Sequence, residues 1–319
     1  MKIINGAYSS AHIFTTTNET TAIDPYAVAQ IQMICDHESS LGSTIRVMPD
    51  VHPGKVGTIG LTMTIGEKLM PNLIGIDIGC GMTLARIKGR KIEYQKLDTV
   101  IRENIPSSFH IRNTVHRLAE DFDFGRLRCA RHIRTDKAFL SLGSLGGGNH
   151  FIEVDRDDEG DLYIVIHSGS RHLGKEVTDH YLSEGQKSLE SRGITVPYET
   201  TWLEGSLMED YLFDLQIVQK YASLNRILLG TGLGNKEWNC SAPHGSGRIM
   251  KREDVKNHFT VSNFKSEMKG IYSSCIGKDT LDEAPFAYRR MEEIAEVIKD
   301  TVTIDTIIHP VYNYKAGND

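Results

Sequence analysis

At 319 residues, with ordinary apolar content and a net charge of −6, the chain can bury a substantial core, and its charge argues against wholesale coating of nucleic acid while leaving room for a local basic cleft. It contains no long apolar run, no signal-like segment and no basic leader, so a membrane span is not expected and the composition points to a soluble, cytoplasmic protein. The five cysteines, Cys35, Cys80, Cys129, Cys240 and Cys275, are widely spaced and form no CxxC pair, which suits a reducing compartment better than a disulfide framework.

Asp24-Pro25 predicts a helix to about His37: the aspartate can accept from the first free amides, and proline suits the first helical position. Ala27, Ile31 and Ile34 give this helix an apolar face. A short strand, Thr44 to Val47, should then end in Met48-Pro49-Asp50-Val51-His52-Pro53-Gly54, where two prolines and a glycine predict an ordered loop carrying Asp50 and His52. Alternation predicts strands at Thr58 to Ile65 and Met82 to Ile87.

Between those strands stands Gly75-Ile76-Asp77-Ile78-Gly79-Cys80-Gly81-Met82, with a carboxylate and a thiol three residues apart among three glycines. The glycines allow a backbone bent to aim both side chains at one point, and a mixed oxygen and sulfur pair joined by imidazoles suits a transition metal better than magnesium or calcium. Taken alone, the same residues also fit a turn aspartate beside a buried cysteine. Lys88 to Lys137 reads as helical and charge-rich, and its basic cluster (Arg126, Arg128, Arg131, His132, Arg134) fits a solvated face as well as a phosphate contact.

Four glycines between Gly143 and Gly148 can offer backbone amides to an anion and lead into Asn149, His150 and Glu153 at the head of a strand. Side-chain alternation sets His150 and Glu153 on opposite faces, so a shared site requires a local irregularity. The apolar Leu162-Tyr163-Ile164-Val165-Ile166 predicts a buried strand that delivers His167, a candidate ligand, and Arg171, a candidate phosphate contact. His172 and His180 belong to the following helix, and a second long helix is expected from Leu207 to Leu229, with Tyr211, Leu215, Val218 and Ala222 buried. Beyond it, Ser241-Ala242-Pro243-His244-Gly245-Ser246-Gly247-Arg248 holds a histidine on a sharply turned loop with open amides and a nearby guanidinium, as attack on phosphorus requires. Asp282 to Lys299 reads as a helix burying Met291, Ile294, Ala295 and Ile298. Thr301 to Ile308 reads as a strand ended by His309-Pro310, before a tail bearing Lys315.

The ordered set of Pro49-Asp50-Val51-His52, the Gly75 to Met82 octet, Ser144 to Phe151, His167 to Arg171, Ser241 to Arg248 and Pro285-Phe286-Ala287-Tyr288 resembles the RtcB family of RNA ligases over nearly the whole chain. The resemblance implies an α+β fold, one large domain (1–319) of mixed sheets packed against helices. It implies a GTP- and Mn²⁺-dependent enzyme that joins RNA 3′-phosphate or 2′,3′-cyclic phosphate ends to 5′-hydroxyl ends through a guanylylated histidine, in tRNA splicing or RNA repair. By motif match His244 takes the guanylyl group and Asp50 orients it; Asp77, Cys80, His150 and His167 hold metal. Asn149, Gly245, Ser246 and Gly247 face the guanylate, and Glu153, Tyr288 and Lys315 its base. RNA and GTP are the implied partners, with room for an activating protein. The match departs from the family between Arg226 and Gly230, where a segment with a His-Asn motif (a further metal ligand) and an Arg-Lys-Gly-Ala motif is missing. That departure keeps two alternatives: a non-ligating metal- and guanine-nucleotide-binding relative that recognises RNA ends, and a metal-dependent phosphoesterase.

Overall fold

In the computed structural model, the described residues are 2–15, 23–87, 91–116, 122–226, 247–298, 304 and 306–315. The first layer comprises β1 (Lys2–Asn5), β2 (Ser10–Ile13), α1 (Pro25–Cys35), β3 (Ile45–His52) and β4 (Ile59–Met63), with strand order β1-β2-β3-β4. Asp24 caps α1 by accepting from the Tyr26 amide, as its position predicts. Ala27, Ile31 and Ile34 are fully buried against Ala11, Ile13, Ile45 and Val47, which fixes the helix on the sheet.

The stretch expected to be a loop after Val47 is instead the end of β3, which runs through Pro49 and Asp50 to His52. Pairing with β4 lapses between Val47 and His52, so Pro49, which has no N–H, is not asked to feed the ladder. Asp50 is therefore held on a strand and is only 2% exposed.

β5 (Lys68–Leu69) and α2 (Pro71–Ile74) lead to β6 (Gly81–Ile87), so Asp77 and Cys80 do sit where a strand begins. Then come α3 (Tyr94–Asn104), α4 (Thr135–Ser141), β7 (Phe151–Arg156), β8 (Leu162–Ser168), α5 (Arg171–Ser191), β9 (Leu203–Glu204) and α6 (Gly205–Asn225). The described residues from 91 to 137 are less helical than expected: besides α3 and the start of α4 they hold 3-10 turns at Phe124–Arg126 and Ala130–His132. Part of its basic cluster is paired, Arg128 with Asp210 at 3.7 Å and over the Phe213 ring, and Arg134 with Glu176, which favours the solvated-face reading for those two. Tyr211, Val218 and Ala222 of α6 are fully buried and Leu215 partly so. The periodicity gave no hint of Asp214, fully buried among them, which accepts from the Arg128 and Cys129 amides and the Tyr181 hydroxyl at 2.7, 3.0 and 2.7 Å.

The C-terminal part contains α7 (Arg252–His258), α8 (Val261–Glu267), α9 (Met291–Ile298) and β10 (His309–Lys315). The helix expected from Asp282 is broken into 3-10 turns at Leu281–Glu283 and Pro285–Ala287 before α9 starts, because Ala284 is extended, as a residue preceding proline tends to be. Ile294 is buried as expected, whereas Met291 is half-exposed. The expected strand Thr301 to Ile308 lies partly outside the described residues, and its described positions 304 and 306–308 are in no strand; β10 begins at His309 and runs through Pro310. β10 tolerates the proline because it is an edge strand whose pairing with β7 shifts register between Pro310 and Tyr312.

The second sheet, in the order β10-β7-β8-β6, is antiparallel throughout. Its register brings the motifs together: Lys315 pairs with Phe151, Phe151 with His167, and Gly81 with Ser168. One end of the sheet therefore carries Cys80, His150, His167 and Lys315. The fold is mixed, with one sheet in which β2 and β3 run parallel, one wholly antiparallel sheet and separate helices, as the α+β expectation has it. Among the described residues no helix is long and apolar enough to cross a membrane, and Cys35, Cys80, Cys129 and Cys275 are free.

Candidate metal and nucleotide site

The Gly75 to Gly81 loop is shaped by its glycines, two of which, Gly75 and Gly79, adopt positive φ (89° and 73°) that other residues rarely take. Its Asp77 carboxylate accepts from the Ser170 amide at 2.9 Å and lies so close to Gly169 that a Cβ there would come within 2.1 Å of Oδ1. Asn225 and Arg226, the last residues of α6 and its cap, stitch the loops around it. Asn225 Nδ2 donates to Ser144 O, Ser168 Oγ and Gly169 O at 3.2, 3.1 and 3.2 Å, and its Oδ1 accepts from the Gly143 amide at 2.8 Å. Arg226 donates to Ser168 O at 2.9 Å and to Gly79 O. The function of Asn225 and Arg226 lies in contacts 56 to 147 residues away, and no local pattern announces such contacts.

His150 and His167 are aimed by the same device. Each donates Nδ1–H to a backbone carbonyl, His150 to Leu145 O and His167 to Asn149 O, both at 3.0 Å. A carbonyl can only accept, so in the neutral rings Nε2 carries the free lone pair, the tautomer a metal ligand needs. His150 Nε2 stands 3.6 Å and His167 Nε2 3.1 Å from Cys80 Sγ, and the ligand atoms of these three residues lie within 4.8 Å of one another. Asp77 Oδ2 joins them, 3.0 Å from His150 Nε2.

Two acceptors at that distance require a positive charge between or upon them, either a proton on the imidazole or a metal cation. Burial would raise the Asp77 carboxyl, but hydrogen bonds from His150 and the Ser170 amide outweigh it and hold the pKa below its ordinary value. Burial, and then the neighbouring Asp77, drive the Cys80 thiol far above its ordinary range, so without a cation it stays protonated. One thiol, two pre-oriented imidazoles and a carboxylate suit a divalent transition metal, whose charge would deprotonate the thiol. The expected ligands Asp77, Cys80, His150 and His167 are thus all at one place.

A cavity of about 720 Å³ opens beside the cluster, with Asp77, Cys80 and His167 on its wall together with Asp50, Asn149 and Glu153. His150 and Glu153 need no irregular strand to contribute together: Asn149, Phe151 and Glu153 face this cavity, while His150, just before β7, reaches the cluster from the other side. Gly247 (φ 69°) lies against the backbone of Asp50, where a Cβ would come within 2.3 Å of the carbonyl oxygen. His244, Gly245 and Ser246 lie outside the described residues.

From the C-terminal segments Tyr288 and Lys315 complete the cavity, both anchored on Glu283, whose side chain is 2% exposed. Glu283 accepts from the Tyr288 hydroxyl and pairs with Lys315 at 3.1 Å, Arg248 at 3.4 Å and Arg252. Burial pushes the Tyr288 phenol up, as does the Glu283 charge; burial pulls Lys315 down, partly offset by the same carboxylate. Glu153 is held by Asn313 Nδ2 at 2.8 Å. Burial raises its carboxyl, and the carboxyl of neighbouring Asp155 is raised to about 8 by burial and by Glu153 itself. The motif resemblance points to Glu153, Tyr288 and Lys315 but not to Glu283, which in the sequence is one of two acidic residues at the start of an expected helix.

Comparison with known proteins now adds to this geometry. The sequence profile described as "RtcB: tRNA-splicing ligase RtcB" matches residues 30–126, 125–231 and 227–316, and the chain belongs to the RtcB family. The chain is 25% identical to the RNA-splicing ligase RtcB of Escherichia coli K12, over 82% of this chain and 87% of that protein. It is 30% identical to RNA-splicing ligase RtcB2 of another Escherichia coli strain over 54% of this chain and 46% of that protein. The tRNA-splicing ligase RtcB of Aeropyrum pernix is 23% identical over 79% of this chain and 83% of its own length. The first alignment spans 358 positions, more than this chain has residues, so it is opened by gaps. The family match falls into three segments, the last two of which overlap at 227–231.

Proposed function

We propose that this protein is an RNA ligase that uses GTP and Mn²⁺ to join RNA 3′-phosphate or 2′,3′-cyclic phosphate ends to 5′-hydroxyl ends. The observation that carries the reading is the convergence of Cys80, Asp77 and two imidazoles with fixed tautomers on the wall of a cavity that also holds Glu153, Tyr288 and Lys315. Bound manganese would supply positive charge to the triphosphate and to the leaving pyrophosphate. In this reading an imidazole nitrogen of His244 attacks the α-phosphorus of GTP and pyrophosphate departs. Asp50 holds that ring in place: Gly247, three residues after His244, lies against Asp50, and three residues of chain span at most about 11 Å. Asn149 and the Gly245-Ser246-Gly247 amides face the guanylate phosphate, Tyr288 stacks on the base, and Glu153 and Lys315 bond its edge. A 2′,3′-cyclic end is first opened by water, the 2′-oxygen leaving as the 2′-hydroxyl; an oxygen of the RNA 3′-phosphate then takes the guanylyl group from His244, and the 5′-hydroxyl oxygen displaces GMP to close the phosphodiester.

The absence of the His-Asn and Arg-Lys-Gly-Ala motifs from the sequence after Arg226 keeps one second reading, a relative that binds metal and guanine nucleotide at RNA ends without joining them. Incubation with α-labelled GTP and Mn²⁺ separates the two. The ligase gives a covalent label that His244→Ala abolishes; a wild-type protein that takes no label contradicts the ligase.

A further inference from the structure

A second cavity, of about 310 Å³, has both Asp77 and His150 on its wall. It shares Asp77 with the large cavity but none of that cavity's base contacts. Arg171, His172 and Lys175 of α5 line it, with Gly147 and Gly148 opposite, and Phe109 and Ile76 supply its apolar surface. Phe109 is 75% exposed, the most open large apolar side chain among the described residues. An aromatic ring held in water beside three basic side chains is costly for a free surface and natural for a base-stacking platform.

The backbone supports the same reading. Among the described residues only two non-glycines have positive φ, Ser108 (58°) and Arg171 (57°), and they touch: Arg171 Nη2 donates to Ser108 O at 2.7 Å. Arg171 Nε donates to Ser144 Oγ at 3.1 Å, while its Nη1 makes no hydrogen bond among the described residues. Two strained residues thus hold each other where the chain presents Phe109 and the guanidinium to one cavity. His172 Nε2 is likewise buried with no hydrogen-bond partner among the described residues. Lys175 pairs with Asp179 on the exposed surface, a contact weak enough to yield to a phosphate.

We infer that this second cavity seats the RNA 3′ end, with Arg171 on the terminal phosphate, Phe109 stacked on the last base, and His172 and Lys175 on the preceding phosphodiester. The inference rests on the ligase reading, in which two phosphorylated substrates must reach one metal cluster. A displacement at phosphorus needs nucleophile and leaving group to approach from different directions, and two separate cavities that both reach Asp77 give each its own entry.

The test measures binding of a fluorescent RNA oligonucleotide by anisotropy in Mn²⁺ without GTP, so that it does not depend on guanylylation. The 3′-phosphorylated oligonucleotide should bind more tightly than its 3′-hydroxyl counterpart. Phe109→Ala should weaken it about tenfold and Phe109→Trp should restore it, as base stacking requires. Lys175→Gln should weaken it less and lower the salt dependence. Phe109 is exposed, so its variants should melt with the wild type. Equal affinity for both ends together with an unchanged Phe109→Ala would overturn the inference. Loss of the covalent GTP label with these RNA effects intact would instead overturn the ligase reading and leave the RNA seat standing.

Discussion

The large cavity has two differently built regions. Around Cys80 the side chains are fixed by backbone: both Nδ1 atoms are tied to carbonyls, the Asp77 carboxylate to an amide, and the loops to Asn225 and Arg226. Around Glu283 they are fixed by charge, one buried carboxylate gathering a phenol, a lysine and two arginines. The first arrangement suits a small ion that tolerates little misplacement. The second suits a planar ligand whose edge and face are read by groups that must be held ready but remain exchangeable.

The sharpest way to break that contrast is to remove one side chain from each region. His167→Ala should lower covalent labelling by GTP more than about 100-fold, because losing even an outer partner of a metal site costs 10–100-fold. Tyr288→Ala should act mainly on the concentration of GTP required; equal rate losses in both variants would erase the distinction. Glu283→Gln then tests the charge anchor itself. It keeps the shape but leaves Lys315, Arg248 and Arg252 without their shared anion, and should raise KM for GTP about tenfold with a smaller change in kcat, while Mn²⁺ affinity stays as in the wild type. A loss of Mn²⁺ binding in Glu283→Gln would show the two regions to be one coupled unit.

The smallest effect concerns Asp155, on β7 behind Glu153. Its folded pKa of about 8, raised from 3.8 by burial and by Glu153, means that it contributes stability at low pH that is lost as pH rises toward 8. Asp155→Asn should therefore melt at least about 2 °C above the wild type at pH 8, with the advantage shrinking as the pH falls toward 5. A difference that does not vary with pH would contradict the shared-proton picture of this pair.

The same contrast explains what could be read from the sequence. The Cys80 region was legible because its signals are local: glycines flank the ligands within eight residues at Gly75 to Met82 and within six at Gly143 to Gly148. Strand ends and helix caps, such as Asp24 on α1, are local too. Glu283 was not legible because its partners come from residues 248, 252, 288 and 315, and Asn225 was not because its contacts reach back to Gly143 and Gly169. The C-terminal prolines mislead in opposite ways: Pro285 suggests the opening of a helix, but the extended Ala284 before it limits it to a 3-10 turn, and His309-Pro310 suggests a strand end, but an edge position lets Pro310 lie inside β10. Asp50 was misread in the same way, since Pro49 sits where the β3–β4 ladder lapses.

The central claim is that Cys80, Asp77, His150 and His167 form a metal site. Equilibrium dialysis against Mn²⁺ tests it most directly, on the wild type and on Cys80→Ala, with thermal melting to confirm that both are folded. Sharply reduced Mn²⁺ in Cys80→Ala is the predicted result; unchanged stoichiometry and affinity in a folded variant would contradict it.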